Sequence, residues 1–319
     1  MARRTKIWFL IGACLIAAGC ILLGSTIRNH TWEDLSTVKY ETNEHILEQP
    51  FQNISIDTNT ADILFAPSEN GVCKVVCHEQ TKIKHTVAIH DGTLTLQAED
   101  TRKWYEYIGI SFGTPKITLF LPKDEYGTLS VKNSTGDIKI PADFQFESLD
   151  IAHSTGDVTC QANTSGRLRI KGSTGNIHIQ NVSAEALDLQ VSTGKISVSD
   201  TVCSGELKIT VSTGKATLNK ITCQNFISKG NTGDITLTGV AAREKLTVIR
   251  TTGDIKLDRC DGSELFLQAD TGNIRGTLLT DKVFITKTST GSINVPDSTS
   301  GGKCTLTTST GDIKIKITK

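Results

Sequence analysis

The chain has 319 residues, room for one large or two ordinary domains, and 37% of them are hydrophobic, which supports a sizeable core and excludes a wholly unfolded chain. Lysine plus arginine and aspartate plus glutamate both number 34, so the formal net charge is zero and long-range electrostatics favour neither nucleic acid nor a strongly acidic partner. Only 5% of residues are aromatic, while Thr, Ile, Ser and Gly are frequent, a balance that suits turn-rich β-sheet rather than a helical bundle.

Residues 1–6 form a basic tail with Arg3, Arg4 and Lys6. Ile7 to Ile27 then runs 21 residues without a charge, long enough at ~1.5 Å per residue to cross a ~30 Å hydrocarbon core, so 7–27 reads as a transmembrane anchor. The basic residues before it predict a single-pass protein of the cell membrane, with the N-terminus cytoplasmic and the C-terminal domain extracytoplasmic. A cleaved signal peptide competes, although its apolar region usually spans only about 7–15 residues. Lipidation at Cys20 in "IAAGC" is a third reading, opposed by the apolar "ILLG" immediately after it. Residues 28–50 are polar and read as a juxtamembrane linker.

Residues 51–128 alternate in "ISIDTNTADILF", "VCKVVC", "TLTLQAE" and "KITLFLP", and predict an irregular β section that caps the rest of the chain. Within it, "KWYEYIGISF" concentrates Trp104, Tyr105, Tyr107 and Phe112; exposed, these residues make a contact surface, and buried they fill the cap. Of nine cysteines, Cys14 and Cys20 lie in the anchor and the rest are thinly spread, so no disulfide framework is legible. Cys73 and Cys77 would stand about 13 Å apart on one strand, too far to bond, and CxxxC is not a usual zinc spacing. Buried free thiols are expected, with no metal and no cofactor.

From residue 129 to 319 one turn recurs. The pairs are Thr135-Gly136, Thr155-Gly156, Thr174-Gly175, Thr193-Gly194, Thr213-Gly214, Thr232-Gly233, Thr252-Gly253, Thr271-Gly272, Thr290-Gly291 and Thr310-Gly311, in steps of 19 or 20 residues. Two positions after each glycine stand Ile138, Val158, Ile177, Ile196, Ala216, Ile235, Ile255, Ile274, Ile293 and Ile313, with polar residues alternating beyond them. Seven positions before it stand Leu129, Leu149, Leu168, Leu187, Leu207, Phe226, Leu246, Leu265, Phe284 and Cys304. Each unit is therefore strand, turn and strand, each with one buried face. A third, shorter side carries single apolar residues such as Val182, Val202, Ile221, Val240, Cys260 and Leu279. One such unit cannot bury its own apolar faces, whereas stacked copies bury one another's.

The pattern predicts an all-β fold: a single-stranded parallel β-solenoid of about ten coils, with the Thr-Gly pairs as a corner ladder at ~4.8 Å spacing along a rod of roughly 48 Å. Glycine there supplies a φ > 0 position, and the Thr hydroxyl is placed to bond nearby backbone. A sandwich of hairpins competes, but fixed spacing in strands and loops favours the solenoid. "NTAD" at Asn59–Asp62 reads as a degenerate first copy. Cys203 and Cys223 fall in adjacent coils and are the one pair placed for a disulfide. Lys314, Lys316 and Lys319 put charge on the last strand, which is expected to close the far end.

An N-terminal anchor joined to "ISIDTNTADILFAPSE", "DGTLTLQ", "KITLFLP" and recurrent "STGDI" resembles the bacterial putative-adhesin family of unknown function, also called the Toastrack domain. The likeness covers residues 50 to 319. It implies a membrane-attached extracytoplasmic β-solenoid with a part in envelope-stress sensing or surface attachment. It brings no catalytic residues.

The residues after the ladder glycines are Asp137, Asp157, Asn176, Lys195, Lys215, Asp234, Asp254, Asn273, Ser292 and Asp312. Stacked carboxylates ~5 Å apart can act as a glycosidase pair or hold Ca²⁺, whereas Asp and Asn in turns ordinarily bond local backbone. The loops keep nearly constant length, so no groove walls are visible. The array contains only His153 and His178, and the chain has no HExxH or GxSxG motif. Lys195 and Lys215, with Lys139, Lys256, Arg275 and Lys314, offer a face for an anionic wall polymer. The resulting expectation is a non-catalytic binding, sensing or adhesin-like module whose partner is a wall polymer or a membrane protein. The rival is a cell-wall polysaccharide-acting enzyme using the acidic ladder.

Overall fold

The computed structural model describes residues 2–29, 37–107 and 113–318, excepting the side chains of 2–6, 23 and 26–29. Helix α1 spans Ala2–Asn29. Trp8, Phe9, Leu10, Leu15, Ile16, Ile21 and Leu22 are all exposed, so apolar side chains face outward around the whole helix rather than along one stripe. Among the described residues no helix is long and apolar enough to cross a membrane.

The expected 28–50 linker holds a strand, β1 (Tyr40–Leu47), while 30–36 lie outside the described residues. Strand β1 pairs antiparallel with β4 (Cys73–Gln80), and β2 (Asn53–Thr60) and β3 (Asp62–Pro67) come between the two in chain order only. Hydropathy hides β1 because its inward residues are polar: the Asn43 amide donates to Glu79 Oε1 at 2.7 Å. Strands β5 (Ile83–His90), β6 (Thr93–Asp100), β7 (Lys116–Leu121) and β8 (Glu125–Thr135) complete the cap and enter the array. "NTAD" is indeed the first corner, since Thr60 stacks on Thr135 and the Ala61 N–H donates to the Thr135 carbonyl at 3.0 Å.

Each regular coil has three sides. The first is buried at alternate residues, as at Leu187, Leu189 and Val191, and the second begins two residues past the glycine, as at Ile196 and Val198. A second corner comes six residues past the glycine, where Asn181, Asp200, Lys220, Gly239 and Arg259 have φ of 56°, 49°, 53°, 59° and 49°. That left-handed residue fixes which face of the third side points in: Val182 with Ala184, Ile221 with Cys223, and Val240 with Ala242 are buried. Two expected third-side residues are exposed. Val202 is 54% exposed because Thr201 and Cys203 occupy the inward positions, and Leu279 is 45% exposed because its coil is one residue short, so that Leu278 pairs with Cys260 and takes the buried place.

Coils stack in parallel and in register, with Leu187 on Leu207, Val191 on Val211 and Thr193 on Thr213. Hairpins would pair antiparallel, so the sandwich is excluded. One core runs the length of the stack from Ile54 to Ile315. The stacking order departs from chain order at both ends. In the cap, β2 lies between β6 and β8, so residues that come later in the chain are placed outside it. At the far end, Gly302–Thr310 pairs with Leu265–Thr271 on one side and Lys282–Thr290 on the other. The last strand therefore does not close the stack: Ile313 and Ile315 are buried, and the outermost coil holds Ile285 at 51% and Ile293 at 44% exposure. Cys203 and Cys223 form no disulfide, and all seven cysteines beyond α1 are buried free thiols.

Candidate functional site

The ladder holds the coils together through its main chain. The Gly175 N–H donates to the Thr193 carbonyl at 3.0 Å, and the same bond recurs from Gly156 to Thr174 and from Gly253 to Thr271. The threonine contribution is thus its carbonyl, and all ten ladder side chains face solvent rather than backbone. Gly175 has φ 132°, and a Cβ there would lie 1.8 Å from the Gly156 carbonyl oxygen, so neither conformation nor space admits another residue.

The carboxylates after the glycines are committed to the same task. Asp137 Oδ1 accepts the Asp157 N–H at 2.9 Å, Asp157 accepts that of Asn176 at 2.7 Å, and Asp234 accepts that of Asp254 at 3.0 Å. Asp254 receives the Asn273 N–H, Asn273 that of Asp312, and Asp312 that of Ser292, which traces the swapped order of the last coils. Desolvation pushes the Asp254 carboxyl up, but the Asn273 backbone N–H and side-chain amide, with the charges of Lys256 and Arg275, outweigh it and hold the carboxyl below its ordinary value. Lys195 and Lys215 interrupt the row as an exposed in-register pair, with the Lys195 N–H on Asn176 Oδ1 at 3.1 Å. Lys256 lies between Asp234 and Asp254, and Arg275 beside Asp312.

The aromatic segment forms one turn of 3₁₀ helix, Trp104–Tyr107, with Trp104 at 81%, Tyr105 at 51% and Tyr107 at 58% exposure. Burial in the cap is therefore excluded for these three residues. Arg102 stacks 4.3 Å over the Tyr107 ring and bonds Asp100, which holds that carboxyl down to about 2. Phe112 lies outside the described residues.

Two arrangements had no sequence signal. In the cap, Glu79 Oε2 lies 2.7 Å from His85 Nδ1, and His85 Nε2 lies 2.8 Å from Thr58 Oγ1, all three side chains being buried. The order is that of a hydrolase triad. Glu79 also accepts the His85 N–H and the Asn43 amide, so the chain fastens β1, β2, β4 and β5 together, and Thr58 at 3% exposure offers no path to a substrate. Cys77 joins Glu79 and His85 within 4.8 Å as a possible ligand set. Burial pushes the Cys77 thiol up to about 12, so it stays protonated, and the His85 nitrogens already have partners.

Thr58 also begins a groove. Five successive coils contribute to it: Asp57, Thr58 and Asn59; Lys132, Asn133 and Ser134; Ala152, His153 and Ser154; Lys171, Gly172 and Ser173; Gln190 and Ser192. They enclose about 440 Å³. Thr58, Asn133, His153 and Gly172 stack in one inward-facing register row beneath it, which continues as the buried Val191 and Val211, with exposed serines on one rim and exposed lysines on the other. Asn133 and His153 are 4% and 6% exposed, yet Asn133 Oδ1 and His153 Nδ1 have no hydrogen-bond partner. Buried polar atoms left unpaired cost roughly 1–3 kcal/mol each, and both face inward in the row that the next coils fill with Val191 and Val211.

Stacked parallel coils, a capped core and a grooved corner define a β-solenoid repeat protein. The chain belongs to the Toastrack DUF4097 family, whose model matches residues 51–211 and again 191–319. No curated protein matches it. Among solved structures it is similar to a putative adhesin from Parabacteroides distasonis, 13% identical with TM-score 0.49, covering 87% of this chain and 98% of that one. It is also similar to a putative adhesin from Bacteroides fragilis, 18% identical with TM-score 0.44 over 87% and 97% of the two chains. A putative lipid binding protein from Parabacteroides distasonis is 14% identical with TM-score 0.44 over 88% and 98%. At these TM-scores the likenesses carry no functional argument.

Proposed function

We propose that the protein is a non-catalytic binding or sensing module, held at the outer face of a bacterial cell membrane by residues 7–27. The observation that carries the binding role is the polar groove over five successive coils, which presents exposed Lys132 and Lys171 beside exposed Ser134, Ser154, Ser173 and Ser192. The ladder carboxylates, each spent on the N–H of a neighbouring coil, argue against the polysaccharide-cleaving alternative, since a catalytic pair must be free to exchange protons and face a sugar ring. The anchor is supported by apolar side chains exposed around the whole of α1, an arrangement that lipid satisfies and water does not, and by the uncharged run that the sequence continues to Ile27. Its partner is a wall polymer or a second membrane protein, and the reading extends to surface attachment or envelope-stress sensing.

The test uses the full chain in bacterial cells. Alkaline carbonate should leave it in the membrane pellet, and a membrane-impermeant amine reagent applied to spheroplasts should label the exposed Lys195 and Lys215. Purified cell walls should co-sediment with the detergent-solubilised chain. Release by carbonate would overturn the anchor, absence of labelling the topology, and absence of wall binding would leave a membrane-protein partner.

A further inference from the structure

We propose that the aromatic turn Trp104–Tyr107 is a membrane-interface contact, through which the cap rests on the lipid headgroups of the bilayer that holds residues 7–27; this rests on the anchor reading. Beyond α1, every other aromatic side chain described is at least partly buried, whereas Trp104, Tyr105 and Tyr107 are exposed together on one turn. Tryptophan and tyrosine, each an apolar ring with one polar atom, are the side chains that settle at the level of lipid headgroups. A contiguous exposed cluster of them calls for a partner that is itself apolar on one side and wet on the other.

The length of the chain says which surface lies opposite. Thr37, Val38 and Lys39 line one hollow of about 370 Å³ with Arg102, Tyr105 and Glu106. The Lys39 carbonyl accepts the Thr81 N–H at 3.0 Å, which ties that segment to the cap. From Ile27, where the uncharged run ends, to Thr37 is ten residues, which fully extended span at most about 36 Å. The aromatic turn therefore stands on the face that the chain itself tethers to the bilayer, whereas the outermost coil is separated from that face by roughly ten coils at ~4.8 Å each.

The turn is braced so that its rings stay outside. Glu106 accepts the Lys103 N–H at 2.9 Å and pairs with Lys82, while Asp100 pairs with Arg102, whose guanidinium stacks on the Tyr107 ring. Both carboxylates are thereby neutralised beside the rings, which lowers their repulsion from lipid phosphates. Exposed Lys39 and Lys103 add positive charge on the same side, which attracts anionic headgroups.

The experiment reconstitutes the full chain into vesicles of phosphatidylethanolamine and phosphatidylglycerol, with Trp8→Phe and Trp32→Phe so that Trp104 is its one tryptophan. Bromine carried on the acyl chains next to the headgroups should quench Trp104 emission by at least about twofold, as for a ring seated at the interface. A control chain with Trp104→Phe and Ile285→Trp added carries its tryptophan on the outermost coil and should keep its emission. Trp104 unquenched in a chain that resists carbonate extraction would sink this inference alone, as would equal quenching at position 285. Release of the chain by carbonate would remove the anchor reading and the inference with it.

Discussion

At the residue scale, two positions separate backbone necessity from packing discomfort. Gly175 is required twice over, by a φ of 132° and by the Gly156 carbonyl. Gly175→Ala should cost about 2–4 kcal/mol in denaturant unfolding, and a loss below about 0.5 kcal/mol would refute the steric account. Arg250 is the opposite case. It is 2% exposed, its Nη2 donates to Ser228 Oγ at 2.9 Å, and its Nε and Nη1 have no partner. It fits because the neighbouring coil carries Gly230, where a Cβ would lie 1.9 Å from Nη1. Burial pushes the guanidinium down to about 10. Replacing an uncompensated buried cation with an apolar chain of similar length should help, so Arg250→Met is expected to gain about 1–3 kcal/mol. Destabilisation by this variant would show that the guanidinium is better satisfied than its contacts indicate.

At the scale of elements, the out-of-order coils make a measurable claim. Amides of Ile313–Ile317, near the chain end, should exchange with deuterium more slowly than those of Ile293–Asn294, because the former strand has neighbours on both sides. Truncation after Ser300 should leave residues 282–300 protease-sensitive rather than trimming one coil. Equal exchange, or a resistant truncated chain, would contradict this order. The coil repeat was legible in sequence because Thr-Gly and its flanking apolar residues are read identically in every unit. Stacking order was not, because parallel rows at one register offer nearly the same surface to any neighbour. The second corner was hidden because Asn181, Asp200, Lys220 and Arg259 share a backbone conformation and not a side-chain type. The polar row beneath the groove was missed for a similar reason: Thr58, Asn133, His153 and Gly172 have nothing in common except their row.

At the scale of the molecule, free thiols are distributed along the entire core. Burial pushes Cys73, Cys77, Cys160, Cys223 and Cys304 up to about 12 and Cys260 up to about 11, against an ordinary 9.0. Unfolded thiols ionise near 9 while folded ones do not, so their contribution is complete below pH 9 and is lost as pH rises toward 12. Each thiol removes up to about 1.4 kcal/mol per pH unit in that window. Melting temperature should hold steady from pH 7 to 9 and fall steeply above it, and Cys160→Ala should soften the fall. A flat profile to pH 11 would show that the thiols are accessible.

The strand that ends the chain is held one row deep. In a linear stack each coil grips only its neighbours, so tension on an exposed terminal coil would unzip it one hydrogen bond at a time. Tension at Thr318 instead loads two rows at once, to Ile274–Leu278 and to the outermost coil, as shear along their length. The far end of the molecule is therefore built as a mechanical grip, in which many hydrogen bonds must break together before the last strand can leave.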